Sequence, residues 1–169
     1  MNATCRPATR DDGEAIARIY NHYVAGTTVT FEEGAVAGVE MATRLDEISR
    51  AGLPFLVAAS DDELVGFAHA SPWKGRCAYR HTAEVSVYLD PALVGRGLGS
   101  ALYAALFPLL EDRKLHAVIA GIALPNDGSI ALHEKFGLRK VAHFAEVGFK
   151  FGRWVDVGYW QRVFTGPRA

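Results

Sequence analysis

Residues 95–100 read Gly-Arg-Gly-Leu-Gly-Ser and lie between a stretch of strand-like alternation and a stretch of helical periodicity. Alternate glycines open backbone conformations closed to other residues, and they let the chain approach another group closely. The helix that follows presents unpaired amides at the positive end of its dipole, which suits an anion such as a phosphate. The same glycines also make an ordinary turn. Two familiar Gly-rich patterns are excluded: no Lys-Ser or Lys-Thr follows at P-loop spacing, and Ser100 takes the third glycine position of the dinucleotide fingerprint.

Periodicity on either side of this turn sets the architecture. Ala15, Ile16, Ile19, Tyr20 and Tyr23 recur at helical spacing and predict a helix over Asp11–Ala25, with Thr9 or Asp11 as its cap. A loop rich in Gly, Thr and Glu (Gly26–Gly38) leads to a second amphipathic helix over Val39–Ala51, stopped by Gly52 and Pro54. The period then becomes two. Phe55–Ser60 and Leu64–Ser71 read as strands joined at Asp61-Asp62, and Thr82–Asp90 as a third, with antiparallel pairing the simplest arrangement. Leu98–Arg113 reads as a helix with Leu98, Leu102, Ala105, Leu106 and Leu109 on one face; Pro108 should kink it at roughly 3 kcal/mol unless the freed carbonyl finds a partner. His116–Ile122 is a strand, Ser129–Phe136 a short helix ended by Gly137, and Arg139–Val147 and Val155–Phe164 are closing strands. The order predicts an α+β fold with a mixed, mostly antiparallel sheet, built as one domain over residues 1–164 with a tail at 165–169.

Lys and Arg number 18 against 19 Asp and Glu, a net charge of -1, and the basic residues are scattered. That excludes binding of nucleic acid or an anionic membrane through bulk charge and points to a small-molecule partner. The apolar run Ala101–Leu110 is too short to cross a bilayer, and the N-terminus has no apolar signal segment. A cytoplasmic protein is expected, with Cys5 and Cys77 reduced and the Asn2-Ala3-Thr4 sequon unmodified. The histidines lack HExxH spacing, so no metal site is expected.

The glycine turn resembles the coenzyme A pyrophosphate loop of the GNAT superfamily of N-acetyltransferases, Gln/Arg-x-x-Gly-x-Gly/Ala, here on Val94–Gly99. Val94 departs from the first position, which matters little where backbone amides do the binding. Asn126, Ala131 and Phe136-Gly137-Leu138 match the superfamily's last coenzyme-contacting segment. A longer set narrows the resemblance to phosphinothricin and methionine sulfoximine acetyltransferases: Ile19-Tyr20-Asn21-His22-Tyr23, Thr27-Thr28-Val29, Trp73-Lys74-Gly75-Arg76, Thr82-Ala83-Glu84, Ser86-Val87-Tyr88, Leu124-Pro125-Asn126-Asp127, Leu132-His133-Glu134, Gly148-Phe149-Lys150 and Gly152-Arg153-Trp154-Val155-Asp156. The resemblance implies a GNAT fold of about seven strands and four helices, acetyl-CoA as cosubstrate, a small amino acid analogue as acceptor, and a homodimer. For the aromatic residues Phe149, Phe151, Trp154, Tyr159 and Trp160, an interface and an ordinary core both stay open.

Amine acetylation needs a base for the incoming ammonium, a donor for the developing oxyanion and an acid for the departing thiolate. Glu84 is the candidate base; a solvent-facing Glu84, or one paired with Arg80, is the plainer reading. The resemblance implies that the strand after Glu84 parts from its neighbour so that the Val87 and Leu89 amides meet the acetyl group and pantetheine arm. His133 stands where most GNAT proteins have Tyr and is the candidate acid, against a satisfied core histidine. By the same resemblance the coenzyme rests on Val87, Tyr88, Leu89, Gly95, Arg96, Gly97, Leu98, Gly99, Ser100, Asn126 and Lys135. The acceptor lies among Phe31, Lys74, Gly75, Arg76, Glu84, Val85 and Ser86, with the Arg76 fork suited to a carboxylate or phosphinate. Phe31, Trp73 and Tyr79 are candidate apolar walls. Acetylation of a polyamine, an aminoglycoside or a protein N-terminus, and acyl-CoA binding without turnover, are the alternatives.

Overall fold

A computed structural model describes residues 3–60 and 63–164. The Asp61-Asp62 turn, Asn2 of the sequon and the tail at 165–169 lie outside the described residues. Among the described residues seven strands form a single sheet: β1 (Thr4–Pro7), β2 (Phe55–Ser60), β3 (Glu63–Pro72), β4 (Thr82–Leu89), β5 (Ala117–Ala123), β6 (Arg139–Lys150) and β7 (Arg153–Val163). Their order across the sheet is β1-β2-β3-β4-β5-β7-β6. Every neighbouring pair is antiparallel except β4 and β5, which run parallel.

Alternation along the strands separates two cores. Val57 and Phe67 face α1 (Gly13–Gly26) and α2 (Gly38–Arg50), whose Ile16, Ile19, Met41 and Leu45 complete that side. Leu56, Ala68, Val85 and Val118 face the other way, onto Leu102, Leu106 and Leu110 of α3 (Leu98–Asp112). α4 (Asp127–Lys135) borders the same core through Ile130 and Leu132. Each fully buried aliphatic side chain contributes about 1.5–3 kcal/mol, so Leu106→Ala should cost roughly 2–5 kcal/mol.

Local chemistry places the helix ends. Asp12 accepts the Thr9 backbone N–H at 2.7 Å and is gripped by both guanidinium nitrogens of Arg6, so Asp12, and not Asp11, organises the start of α1. Asn126 caps α4 by accepting the Ser129 N–H at 3.1 Å. α3 runs through Pro108 as one helix, with the buried stripe widened by Tyr103, Phe107 and Leu110 beyond the expected leucines.

Between α1 and α2 the chain has no regular structure, yet it is tied down. The Asn21 side chain donates to the Val36 carbonyl at 2.9 Å and accepts the Val36 N–H at 2.8 Å, as a strand neighbour would. Tyr20 bonds Thr30 through their hydroxyls at 2.7 Å, and the buried Lys150 ammonium donates to the Thr30 carbonyl at 2.8 Å. These ties lay the Phe31 ring against Gly148 of β6, where a β-carbon would come within 2.2 Å of the ring.

Candidate active site

Strands β4 and β5 pair over only three positions, Thr82 with Ala117, Ala83 with Val118 and Glu84 with Ile119. Beyond Glu84 they part, while β4 stays paired with β3 as far as Leu89. The Asp90 N–H donates to Val65 on the β3 side at 2.8 Å. Successive residues of a strand turn their backbone groups to opposite sides, so those of Leu89 and Val87 face the gap. Tyr23 confirms this direction by donating its hydroxyl to the Leu89 carbonyl at 2.7 Å.

On the α3–α4 side the gap opens into a cavity of about 490 Å³ bordered by Val87, Tyr88, Leu89, Gly95, Gly97, Gly99, Ser100, Asn126 and Lys135. Gly95 and Gly97 have φ of +81° and +84°, and a β-carbon at either would meet nothing within 4 Å. Their backbone is therefore both left-handed and open, with Gly97 as the cap of α3. Lys135 donates to the Ser100 hydroxyl at 3.0 Å, setting an ammonium beside the helix start. Two residues of the turn could face the coenzyme only through their backbone: the Leu98 side chain is buried in the core, and the Arg96 side chain is exposed outside the cavity lining. Gly99 packs on α4, since a β-carbon there would lie 2.9 Å from Leu132 Cδ2. Tyr23, Val29, Ser129 and Leu132 also line this cavity; Tyr23, Val29 and Leu132 carry part of the family resemblance, but none of the four was assigned to the coenzyme, because their spacing is that of ordinary helix and loop residues.

On the opposite face a second cavity, of about 450 Å³, is lined by Phe31, Glu84, Gly121, Phe144, Val157 and Tyr159, among others. Burial raises the Glu84 carboxyl above the ordinary carboxylate range, while Lys74 and the Gly121 backbone amide pull it down. Among the described residues Glu84 has no salt bridge, and Arg80 instead donates to the Cys77 carbonyl. A β-carbon on Gly121 would sit 3.3 Å from the Tyr159 ring and 3.5 Å from a Glu84 carboxylate oxygen, so this glycine lets the two converge. Tyr159 belongs to the pocket and Trp160 to the core, whereas Phe149, Phe151 and Trp154 stand more than half exposed on the β6–β7 hairpin.

A narrow passage of about 40 Å³ touching Ser86, Val87, Gly121, Ser129 and His133 lies at the same parting of the strands. His133 is buried, with Nδ1 2.7 Å from the Ser129 carbonyl oxygen and Nε2 2.8 Å from the Tyr103 hydroxyl. A carbonyl only accepts, so Nδ1 carries the proton and Nε2 accepts from Tyr103. Burial lowers the imidazole pKa and keeps the ring neutral. The remaining acceptor candidates are spread out. Lys74 lies over the Trp73 ring at 4.6 Å, and Trp73 packs edge-on against Tyr159. Gly75, Arg76 and Tyr79 are exposed in the β3–β4 connection, outside the lining of the Glu84 cavity. The Val85 side chain belongs to the α3 core, and Ser86 turns with Glu84 to the α1–α2 face.

Comparison with known proteins agrees with this architecture. The acetyltransferase (GNAT) domain family matches residues 5–158. A phosphinothricin N-acetyltransferase of Streptomyces coelicolor is 40% identical over 160 residues, spanning 93% of this chain and 94% of the relative. An L-methionine sulfoximine/L-methionine sulfone acetyltransferase of Salmonella typhimurium is 34% identical over 158 residues, 94% of this chain and 92% of the relative. The structure of a phosphinothricin acetyltransferase from Sinorhizobium meliloti in complex with acetyl-CoA superposes with a TM-score of 0.92 at 36% identity, covering 96% of this chain and 89% of that one. With its open β4–β5 pair, its glycine turn and these matches along nearly the whole length, the chain belongs to the GNAT acetyltransferase family.

Proposed function

We propose that this protein moves the acetyl group of acetyl-CoA to the α-amine of a small amino acid analogue, in the class of phosphinothricin, methionine sulfoximine and methionine sulfone. The observation that carries the reading is Glu84, half-buried at the last paired position before β4 and β5 part, with a cavity on each face of the sheet. The left-handed, open backbone at Gly95 and Gly97 fits a pyrophosphate, with Lys135 close to Ser100 to balance its charge. Bound acetyl-CoA supplies an activated acyl carbon on a thiol leaving group.

Glu84 takes a proton from the acceptor ammonium, directly or through water, and its raised pKa brings it nearer that task than a solvated carboxylate. The Val87 N–H, turned to the gap, meets the charge that develops on the acetyl oxygen. His133 serves the departing thiolate; since both its nitrogens are engaged in the free protein, one of those bonds must be exchanged for one to sulfur. Lys74 and Arg76 hold the acceptor's carboxylate, a role that for Arg76 requires the β3–β4 connection to fold over the acceptor.

Exposed Phe149, Phe151 and Trp154 support a homodimer joined through the β6–β7 hairpin, since an aromatic patch of this kind favours burial against a second copy. Unpaired Cys5 and Cys77 support a reducing, cytoplasmic setting. Thiol release from acetyl-CoA, measured with phosphinothricin, methionine sulfoximine, methionine sulfone, spermidine and a peptide, tests the reading. Turnover confined to the amino acid analogues is expected; tight acetyl-CoA binding with no thiol release on any acceptor would identify a binding module instead.

A further inference from the structure

A third cavity, of about 430 Å³, lies between α2 and the sheet and takes no part in the chemistry above. Its floor continues the face that carries Glu84. Ser71 is the cross-strand partner of Glu84, and His69 that of Ser86; Ser71, His69 and Ser86 all line this cavity. Directly opposed residues of an antiparallel pair share a face, so the cavity begins one strand away from the carboxylate, on the side opposite β5.

Its walls combine apolar surface with neutral hydrogen-bonding groups. Phe55 and Phe67 lie nearly parallel to the His69 ring, at 4.8 and 6.3 Å between centroids, and hold it in place. His69 Nδ1 is sealed from solvent and has no hydrogen-bond partner among the described residues, leaving Nε2 as the ring nitrogen available to a ligand. An orphaned acceptor costs less than an orphaned donor, so the proton belongs on Nε2. Burial and the nearby Arg44 lower the ring pKa to about 4, so it stays a neutral donor at working pH. Arg44 brings positive charge to the wall, but it is already paired with Glu32 at 2.7 Å and Glu40 at 2.6 Å. Glu47 adds a further carboxylate to the lining. The charged lining is thus one guanidinium and one carboxylate, and because that guanidinium is already engaged by two acids, an anionic group entering here gains little.

We infer that this cavity receives the side chain of the acceptor amino acid, and that it selects an uncharged side chain ending in a hydrogen-bond acceptor, such as a sulfone or sulfoximine, over an anionic phosphinate. The inference rests on the acetyl-transfer reading and deepens it. With the amine at Glu84, the side chain passes Ser86 and its oxygen meets His69 Nε2–H.

The test is steady-state kinetics of the full-length protein with methionine sulfone and with phosphinothricin, in the wild type and in His69→Phe, which keeps the aromatic stack and removes the donor. The wild type should favour the sulfone in kcat/KM, and His69→Phe should lower kcat/KM for the sulfone about tenfold with little change for phosphinothricin. Equal loss for both acceptors, no loss for either, or a wild-type preference for phosphinothricin overturns the inference while leaving acetyl transfer intact. Absence of turnover with every acceptor instead removes the acetyl-transfer reading itself. Should the variant fail to fold, NMR of the wild-type His69 ring carries the test: a shift on adding methionine sulfone, and none on adding phosphinothricin, is expected. An unmoved ring with an acceptor that is turned over overturns the inference.

Discussion

The Tyr103 hydroxyl donates to Nε2 of His133 across 2.8 Å of buried interior, tying α3 to α4 at the edge of the passage between the two working cavities. Removing the imidazole leaves that hydroxyl without a partner, which costs about 1–3 kcal/mol. His133→Phe should therefore lower the melting temperature and, through the thiolate, also lower kcat with the acetyl-CoA Kd unchanged. Tyr103→Phe should lose stability but keep kcat per folded molecule, since the ring stays. Activity per folded His133→Phe molecule equal to wild type would reduce the histidine to a structural tie.

The glycines of the turn should behave differently from one another. Gly97 has φ of +84° with nothing near its would-be β-carbon, so Gly97→Ala fits the space but strains the backbone by roughly 1–2 kcal/mol. Isothermal titration should show a weaker acetyl-CoA Kd, by about tenfold, with the acceptor KM little changed. Gly99→Ala instead pushes on Leu132 and should register first as lost thermal stability, about 1 kcal/mol or more from overpacking. Unaltered acetyl-CoA binding in a folded Gly97→Ala protein would remove the turn from the coenzyme site.

Glu84→Gln keeps the shape and removes the base, so kcat/KM at neutral pH should fall ~100 to 10,000-fold. A base works only when deprotonated. Because burial raises this carboxyl, the wild-type rate should climb as pH rises through a value above the ordinary carboxylate range, and fall as pH drops below it. In Glu84→Gln that acidic limb should vanish. A pH–rate profile whose acidic limb survives the substitution assigns the proton to another group.

Gly148→Ala would drive a methyl group into the Phe31 ring, which is 40% exposed and can swing aside. The ring should leave the acceptor cavity, raising the acceptor KM several-fold while stability and acetyl-CoA affinity change little, by the logic that lost uniform binding appears in KM. Unchanged kinetics would mean that Phe31 does not touch the acceptor.

Element identity was legible because each segment's periodicity agreed with the packing it met. The helix predicted over Asp11–Ala25 forms over Gly13–Gly26, and the strand predicted over Thr82–Asp90 forms over Thr82–Leu89. β6 was read three residues short, ending at Val147, since its register shifts near Gly148 and breaks the simple alternation. The glycine turn and Glu84 were visible as local patterns. Tyr159 and Gly121 were not: each joins the site only because β5 and β7 pair Gly121 with Tyr159 beside Glu84, a contact between segments distant in sequence.

By itself the sequence determined the charge balance, a sum over the chain, and the helices, the strands and the glycine turn, which depend on residues within a few positions of one another. Tertiary structure alone decided where β4 and β5 separate, which backbone amides the gap frees, and which charged groups reach it. The β3–β4 connection shows both levels. Its Trp-Lys-Gly-Arg pattern was legible, yet Lys74 lies near enough to Glu84 to shift its pKa while Arg76 stays exposed. Pairing over three residues and no further is a balance between sheet hydrogen bonds and the packing of helices on both faces. No short stretch of the chain carries that balance, because its terms come from α1, α3, β5 and β7 together.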